Sequence, residues 1–122
     1  MTERTWEMIT TEEGLERVLD LVGIDLAALD FETTGLDVET SKVRLGQICN
    51  DAVWAVIDFW ALEGGSFDAY AEWFEDATWI AFNAGFEYKW FDHADAPQVR
   101  VIDVANARRA RMGGDQMSLE KM

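Results

Sequence analysis

What most constrains this chain is the brevity of its apolar runs and the nature of the residues between them. The longest runs, such as AVWAVI at 52–57, fall far short of the roughly 18–20 residues that span a bilayer, so no membrane helix is expected. Each run is bounded either by turn-forming residues or by a segment of helical periodicity. Such a chain buries its apolar surface by layering short strands against helices, an α/β arrangement.

Residues 6–9 form a short strand leading to Thr10, whose hydroxyl is placed to cap a helix, with Glu13 closing a capping box. Leu15, Val18, Leu19 and Val22 follow helical spacing until Gly23 stops it. LAALDF at 26–31 is an apolar strand of the kind buried on both faces of a sheet, and the TTGLD after it is a turn. KVRLGQIC at 42–49 and AVWAVIDF at 52–59 flank Asn50-Asp51, a pair able to take the positive φ values of a tight hairpin. Gly64-Gly65 breaks the chain, and Ser66 caps a helix with Phe67, Tyr70, Ala71 and Phe74 on one stripe. TWIAF at 78–82 is the next strand, Asn83 opens a helix carrying Phe86, Glu87, Trp90 and Phe91, and VRVID at 99–103 is a last strand. Asp103 then caps a helix ending at Gly113-Gly114. Ser118 resembles one more cap with too few residues after it for a turn, so the chain stops where an element begins. The predicted order is β-α-β-β-β-α-β-α-β-α.

No repeat, low-complexity segment or linker divides the 122 residues, and 49% hydrophobic content suffices for one core, so residues 1–122 are expected to form one domain. The acidic N-terminus is unlike a signal peptide, and the lone Cys49 excludes an internal disulfide and a cysteine-based zinc site; both fit the reducing cytoplasm. A net charge of −14 repels polyanions at long range and argues against a free-standing nucleic-acid binder. The charge is uneven: from residue 100 onward Arg100, Arg108, Arg109, Arg111 and Lys121 outnumber Asp103, Asp115 and Glu120.

Asp30 and Glu32 carry the strongest chemical signal. Two residues apart on a strand, they project from one face while Phe31 points into the opposite layer. Their like charges repel unless cations lie between them, and hard oxygen ligands suit Mg²⁺ or Mn²⁺. Spacing alone also allows them to mark where a buried strand surfaces into a loop.

AALDFETTGLD at 27–37 resembles the first motif of the DEDD 3′-5′ exonucleases, the group of proofreading polymerase domains and ribonuclease D. The resemblance extends in order through ITTEEGL at 9–15, KVRLGQI at 42–48, VWAVIDF at 53–59 and IAFNAGFEYKWF at 80–91, the last similar to the second motif. It implies a ribonuclease H-like mixed β-sheet flanked by helices but lacking the C-terminal helices, and hydrolysis of terminal phosphodiesters at a nucleic acid 3′ end with two Mg²⁺ or Mn²⁺ ions. In that frame Asp30 bridges both metals, Glu32 holds the ion carrying the attacking water, and Glu87 is the third ligand, a glutamate where the family has aspartate. Thr33, Thr34 and Leu36 meet the terminal nucleotide, with Gly35 allowing close backbone approach. Asn83 contacts the substrate and Phe86 packs near the terminal base. Asp103 is a helix cap rather than the fourth carboxylate, and His93 is a surface residue outside the frame of the third motif.

The third motif, a Tyr or His followed by Asp, is missing. The resemblance therefore implies an incomplete domain, weak or inactive alone, needing a protein partner that supplies the C-terminal helices and that motif; proofreading during DNA replication is the setting it suggests. The competing expectation is a catalytically inactive binding protein of the same fold that engages a basic partner through its acidic surface.

Overall fold

The computed structural model describes residues 5–105. The helix expected after Asp103 is described only at Val104 and Ala105; its end at Gly113-Gly114, the cap at Ser118, and Arg108, Arg109, Arg111 and Lys121 lie outside the described residues. Six strands, β1 (Glu7–Ile9), β2 (Leu26–Thr33), β3 (Val43–Cys49), β4 (Trp54–Asp58), β5 (Thr78–Ala81) and β6 (Arg100–Asp103), and two α-helices, α1 (Glu12–Val22) and α2 (Gly85–His93), account for the regular structure, with 3-10 turns between β4 and β5. The sheet order is β1-β4-β3-β2-β5-β6. β2, β3 and β4 are antiparallel neighbours, whereas β1 beside β4, and β5 and β6 beyond β2, run parallel. This is the mixed sheet flanked by helices that the sequence led us to expect. No helix among the described residues is long and apolar enough to cross a membrane.

β2 is a central strand, and its side chains alternate between buried and exposed along its length. Ala27, Leu29 and Phe31 enter the core, while Ala28, Asp30 and Glu32 share the other face and are exposed. The expectation that β2 is buried on both faces is corrected: among the described residues, nothing covers its second face. The core layer is aromatic, with the Phe67 ring 5.0 Å from Phe31, 5.2 Å from Phe59 and 5.3 Å from Phe91. Gly46 on β3 leaves room for these rings, since a Cβ there would lie 3.0 Å from the Phe59 ring.

Local chemistry shifted four expected features. Thr11, not Thr10, caps α1, its hydroxyl accepting from Gly14 N at 3.0 Å, because Thr11 stands three residues before that N–H. The β3–β4 turn does not use positive φ; Asn50 Oδ1 accepts instead from Ala52 N at 2.7 Å and Val53 N at 3.1 Å, a side-chain-closed turn. The helix expected after Ser66 is two 3-10 turns, Phe67–Ala69 and Ala71–Phe74, and Ser66 makes no side-chain cap. Tyr70 breaks the run with φ −122° and ψ 0° while its hydroxyl accepts from Gly64 N at 2.5 Å and donates to Glu12 Oε2 at 2.6 Å, tying the segment to α1. Asn83 does not cap α2 but sits before it at φ 60°, a left-handed position that asparagine tolerates.

The open face of the sheet is largely apolar. Cross-strand register lines up Ile102, Ile80, Ala28, Cys49 and Trp54, and beside them Asp30, Gln47, Val56 and Met8. Met8, Leu26, Phe82 and Ile102 are each about half exposed. A groove of about 650 Å³ runs over this face past Asp30, Gln47, Cys49 and Phe82.

Candidate active site

Strand geometry puts Asp30 and Glu32 side by side on the open face at the C-terminal end of β2, opposite Gln47 and Leu45 of β3. The β2–β3 register shifts between Glu32 and Thr33, so pairing loosens where the chain turns. Thr33 Oγ1 donates to the Gly35 carbonyl at 2.8 Å. Thr34 N donates to the Lys42 carbonyl at 2.9 Å, and Lys42 N returns a bond to Thr34 Oγ1 at 2.9 Å. Asp37 closes the far side, its side chain accepting from Glu39 N and its carbonyl from Ser41 N. Gly35 fits because any Cβ would collide with Ser41 Oγ. Leu36 at the apex is 75% exposed.

The parallel neighbour β5 ends beside β2 and delivers the start of α2 to the same region. Asn83 is exposed, its carbonyl accepting from Phe86 N at 3.0 Å, and Phe86 is half-buried with its ring 6.1 Å from that of Trp90. Glu87, in the first turn of α2, is 2% exposed. Phe31 N donates to its Oε2 at 3.4 Å, whereas Oε1 is buried with no hydrogen-bond partner. Burial pushes the Glu87 carboxyl up to about 7; its bonds from Phe31 N and its own N–H oppose that, and the charges of Asp30 and Asp103 add to it.

Glu87 is thus drawn against the β2 backbone and feels both Asp30 and Asp103. Asp103 Oδ1 accepts from Ala105 N at 2.9 Å, the capping geometry expected of it, yet its charge reaches the same spot. Nothing local in the sequence joins Asp103 to Glu87, because no residue pattern signals that β6 ends near α2. His93 is partly exposed at the end of α2, its Nδ1 3.7 Å from Glu39 Oε1.

Among the described residues, no three His, Cys, Asp or Glu side chains converge as a group able to hold a metal ion. Glu87 reaches β2 from the helix on the core side, while Asp30 and Glu32 project from the opposite face. In kind, the donors suit a hard divalent cation: two adjacent exposed carboxylates and a buried carboxylate oxygen that receives no hydrogen bond.

A family model described as 3′-5′ exonuclease matches residues 6–122. No curated protein matches the sequence. Among solved structures, the chain is similar to the Aedes aegypti Nibbler EXO domain, with TM-score 0.65 and 16% identity over 92% of this chain and 58% of that one. It is also similar to Brucella melitensis NrnC bound to pGG, with TM-score 0.64 and 21% identity over 96% of this chain and 58% of that one. Escherichia coli RNase D, an exoribonuclease involved in structured RNA processing, gives TM-score 0.57 and 19% identity over 72% of this chain and 24% of that one. These likenesses establish the ribonuclease H-like exonuclease fold. The chain spans less than two thirds of each of these structures.

Proposed function

Because the chain belongs to the 3′-5′ exonuclease family, we propose that it is a nuclease that hydrolyses terminal phosphodiesters at a nucleic acid 3′ end, with Asp30, Glu32 and Glu87 as its divalent-metal ligands. The observation that carries this reading is the exposed pair Asp30 and Glu32 at the end of β2, with support from the buried Glu87 carboxylate, whose Oε1 receives no hydrogen bond and which feels the Asp30 charge. NrnC has been observed with bound Mg²⁺, in a structure 21% identical over 93% of this chain and 55% of that one, with TM-score 0.59. Two Mg²⁺ or Mn²⁺ ions at such carboxylates would supply an activated water and stabilise the departing 3′ oxygen.

The remaining work belongs to the chain's own residues. Leu36, held out at the apex of its turn, gives the terminal nucleotide an apolar contact, with Thr33 and Thr34 shaping the backbone beneath it. Asn83 offers an exposed amide and Phe86 an aromatic face from the neighbouring turn. A net charge of −14 opposes substrate capture, so neutralising the carboxylates is a precondition for a phosphate to approach.

The open apolar face of the sheet, with its half-exposed Met8, Leu26, Phe82 and Ile102, offers helices that carry the third-motif residues a surface to cover. The test is digestion of a 5′-labelled single-stranded oligonucleotide with Mg²⁺. The 122-residue chain alone should give weak or no 3′ shortening, and a co-expressed segment supplying the missing motif should restore it in a manner abolished by Asp30→Asn. Robust Asp30-dependent digestion by the chain alone would show that the third motif is not needed, and no digestion in any combination would favour the inactive binding protein.

A further inference from the structure

The turn carrying Leu36 is held from outside as well as from within. Its internal bonds, between Thr34 and Lys42 and from Ser41 N to the Asp37 carbonyl, close the base of the turn without engaging Leu36. Leu36 is engaged from α2: Lys89 Nζ donates to its carbonyl oxygen at 2.6 Å across 53 residues of sequence. The ammonium lies 5.0 Å from the centre of the Phe86 ring and 5.6 Å from that of Trp90, so two aromatic faces limit where it can go. One helical turn later, His93 approaches Glu39 on the far side of the same loop. Of the two, the Lys89 bond is the one that holds the loop to α2.

This matters because Leu36 is an exposed apolar side chain. On a loose turn, ordering it against a ligand would consume part of the binding free energy; on a pinned turn that ordering is already complete. We propose that Lys89 is a positioning residue that pins the Leu36 carbonyl and so presents the leucine side chain, in a fixed place, to the terminal nucleotide of a nucleic-acid strand. The role rests on the 3′-end reading of the site and adds to it a residue that touches neither metal ligands nor reacting atoms.

The test compares Lys89→Met, which keeps the apolar stem over Phe86 and Trp90, with Lys89→Arg, which keeps the charged donor. Two quantities are read on the 122-residue chain: amide hydrogen exchange at Thr34 and Ser41 without any ligand, and the Kd of a fluorescent single-stranded oligonucleotide in Ca²⁺. The bond is charge-assisted, so Lys89→Met should speed exchange at Thr34 and Ser41 roughly tenfold and weaken the oligonucleotide roughly tenfold, and Lys89→Arg should restore both. Exchange at Ile48 in the core should not change. Unaltered exchange at Thr34 and Ser41 overturns the pin, and equal acceleration at Ile48 shows a merely structural role. Faster loop exchange with unchanged Kd overturns the link to the nucleotide. Failure of the unmodified chain to bind the oligonucleotide overturns the 3′-end reading and the substrate half of the Lys89 role, while the exchange data still decide whether the turn is pinned.

Discussion

Glu87 shows what one residue contributes that its position in the sequence does not reveal. The two-residue spacing of Asp30 and Glu32 dictates a shared face on any strand, so that pair is legible without coordinates. The burial of Glu87 is not, because it depends on where α2 packs against a strand 56 residues earlier. With its carboxyl raised from 4.5 to about 7, folded Glu87 keeps its proton where the unfolded chain has lost it. Below about pH 4.5 both states are protonated and no penalty arises. Stability then falls as pH rises from 4.5 to 7, and above 7 the full penalty of burying the charge applies. Glu87→Gln removes the ionisation, so its urea midpoint should stay level between pH 5 and 8 while that of the unmodified chain declines; parallel profiles would show that Glu87 does not titrate in this window. Adding Mn²⁺ at pH 8 should raise the midpoint of the unmodified chain more than that of Glu87→Gln.

At the scale of elements, α1 follows from its helical apolar spacing, and β2 and β3 from short apolar runs bounded by turn residues. The segment after Gly64-Gly65 carries an equally helical stripe, yet it forms 3-10 turns, since the Tyr70 hydroxyl is committed to Gly64 and Glu12. Its apolar residues were identified correctly even though its helix was not: Phe67, Tyr70, Ala71 and Phe74 are all buried. These turns matter to the site because Phe67 packs edge-to-face against Phe31, the residue between Asp30 and Glu32, with ring centres 5.0 Å apart. Phe67→Ala should lower stability by about 3–5 kcal/mol, as expected for emptying a ring-sized space in an aromatic core. Calorimetric or urea unfolding measures it; a loss under 1 kcal/mol would mean the 3-10 segment can be repacked and does not support β2.

For the whole molecule, the order of the motifs along the chain made the ribonuclease H-like fold legible, since strands and helices had to follow in the sequence that family uses. What the residues could not disclose is that, among the described residues, only one face of β2 is covered, because an apolar strand looks the same whether one layer or two cover it. The result is a core face that builds the scaffold and an open face that carries Asp30 and Glu32 among exposed apolar side chains. The proposed chemistry depends on those carboxylates binding a divalent ion. The direct measurement is titration of Mn²⁺ into the purified chain, with free Mn²⁺ followed by electron paramagnetic resonance, compared with Asp30→Asn and Glu87→Gln. A saturable site in the unmodified chain that is lost in Asp30→Asn and weakened in Glu87→Gln is the predicted result. Identical, non-saturating uptake by all three proteins, as a surface of net charge −14 would give by itself, would contradict it.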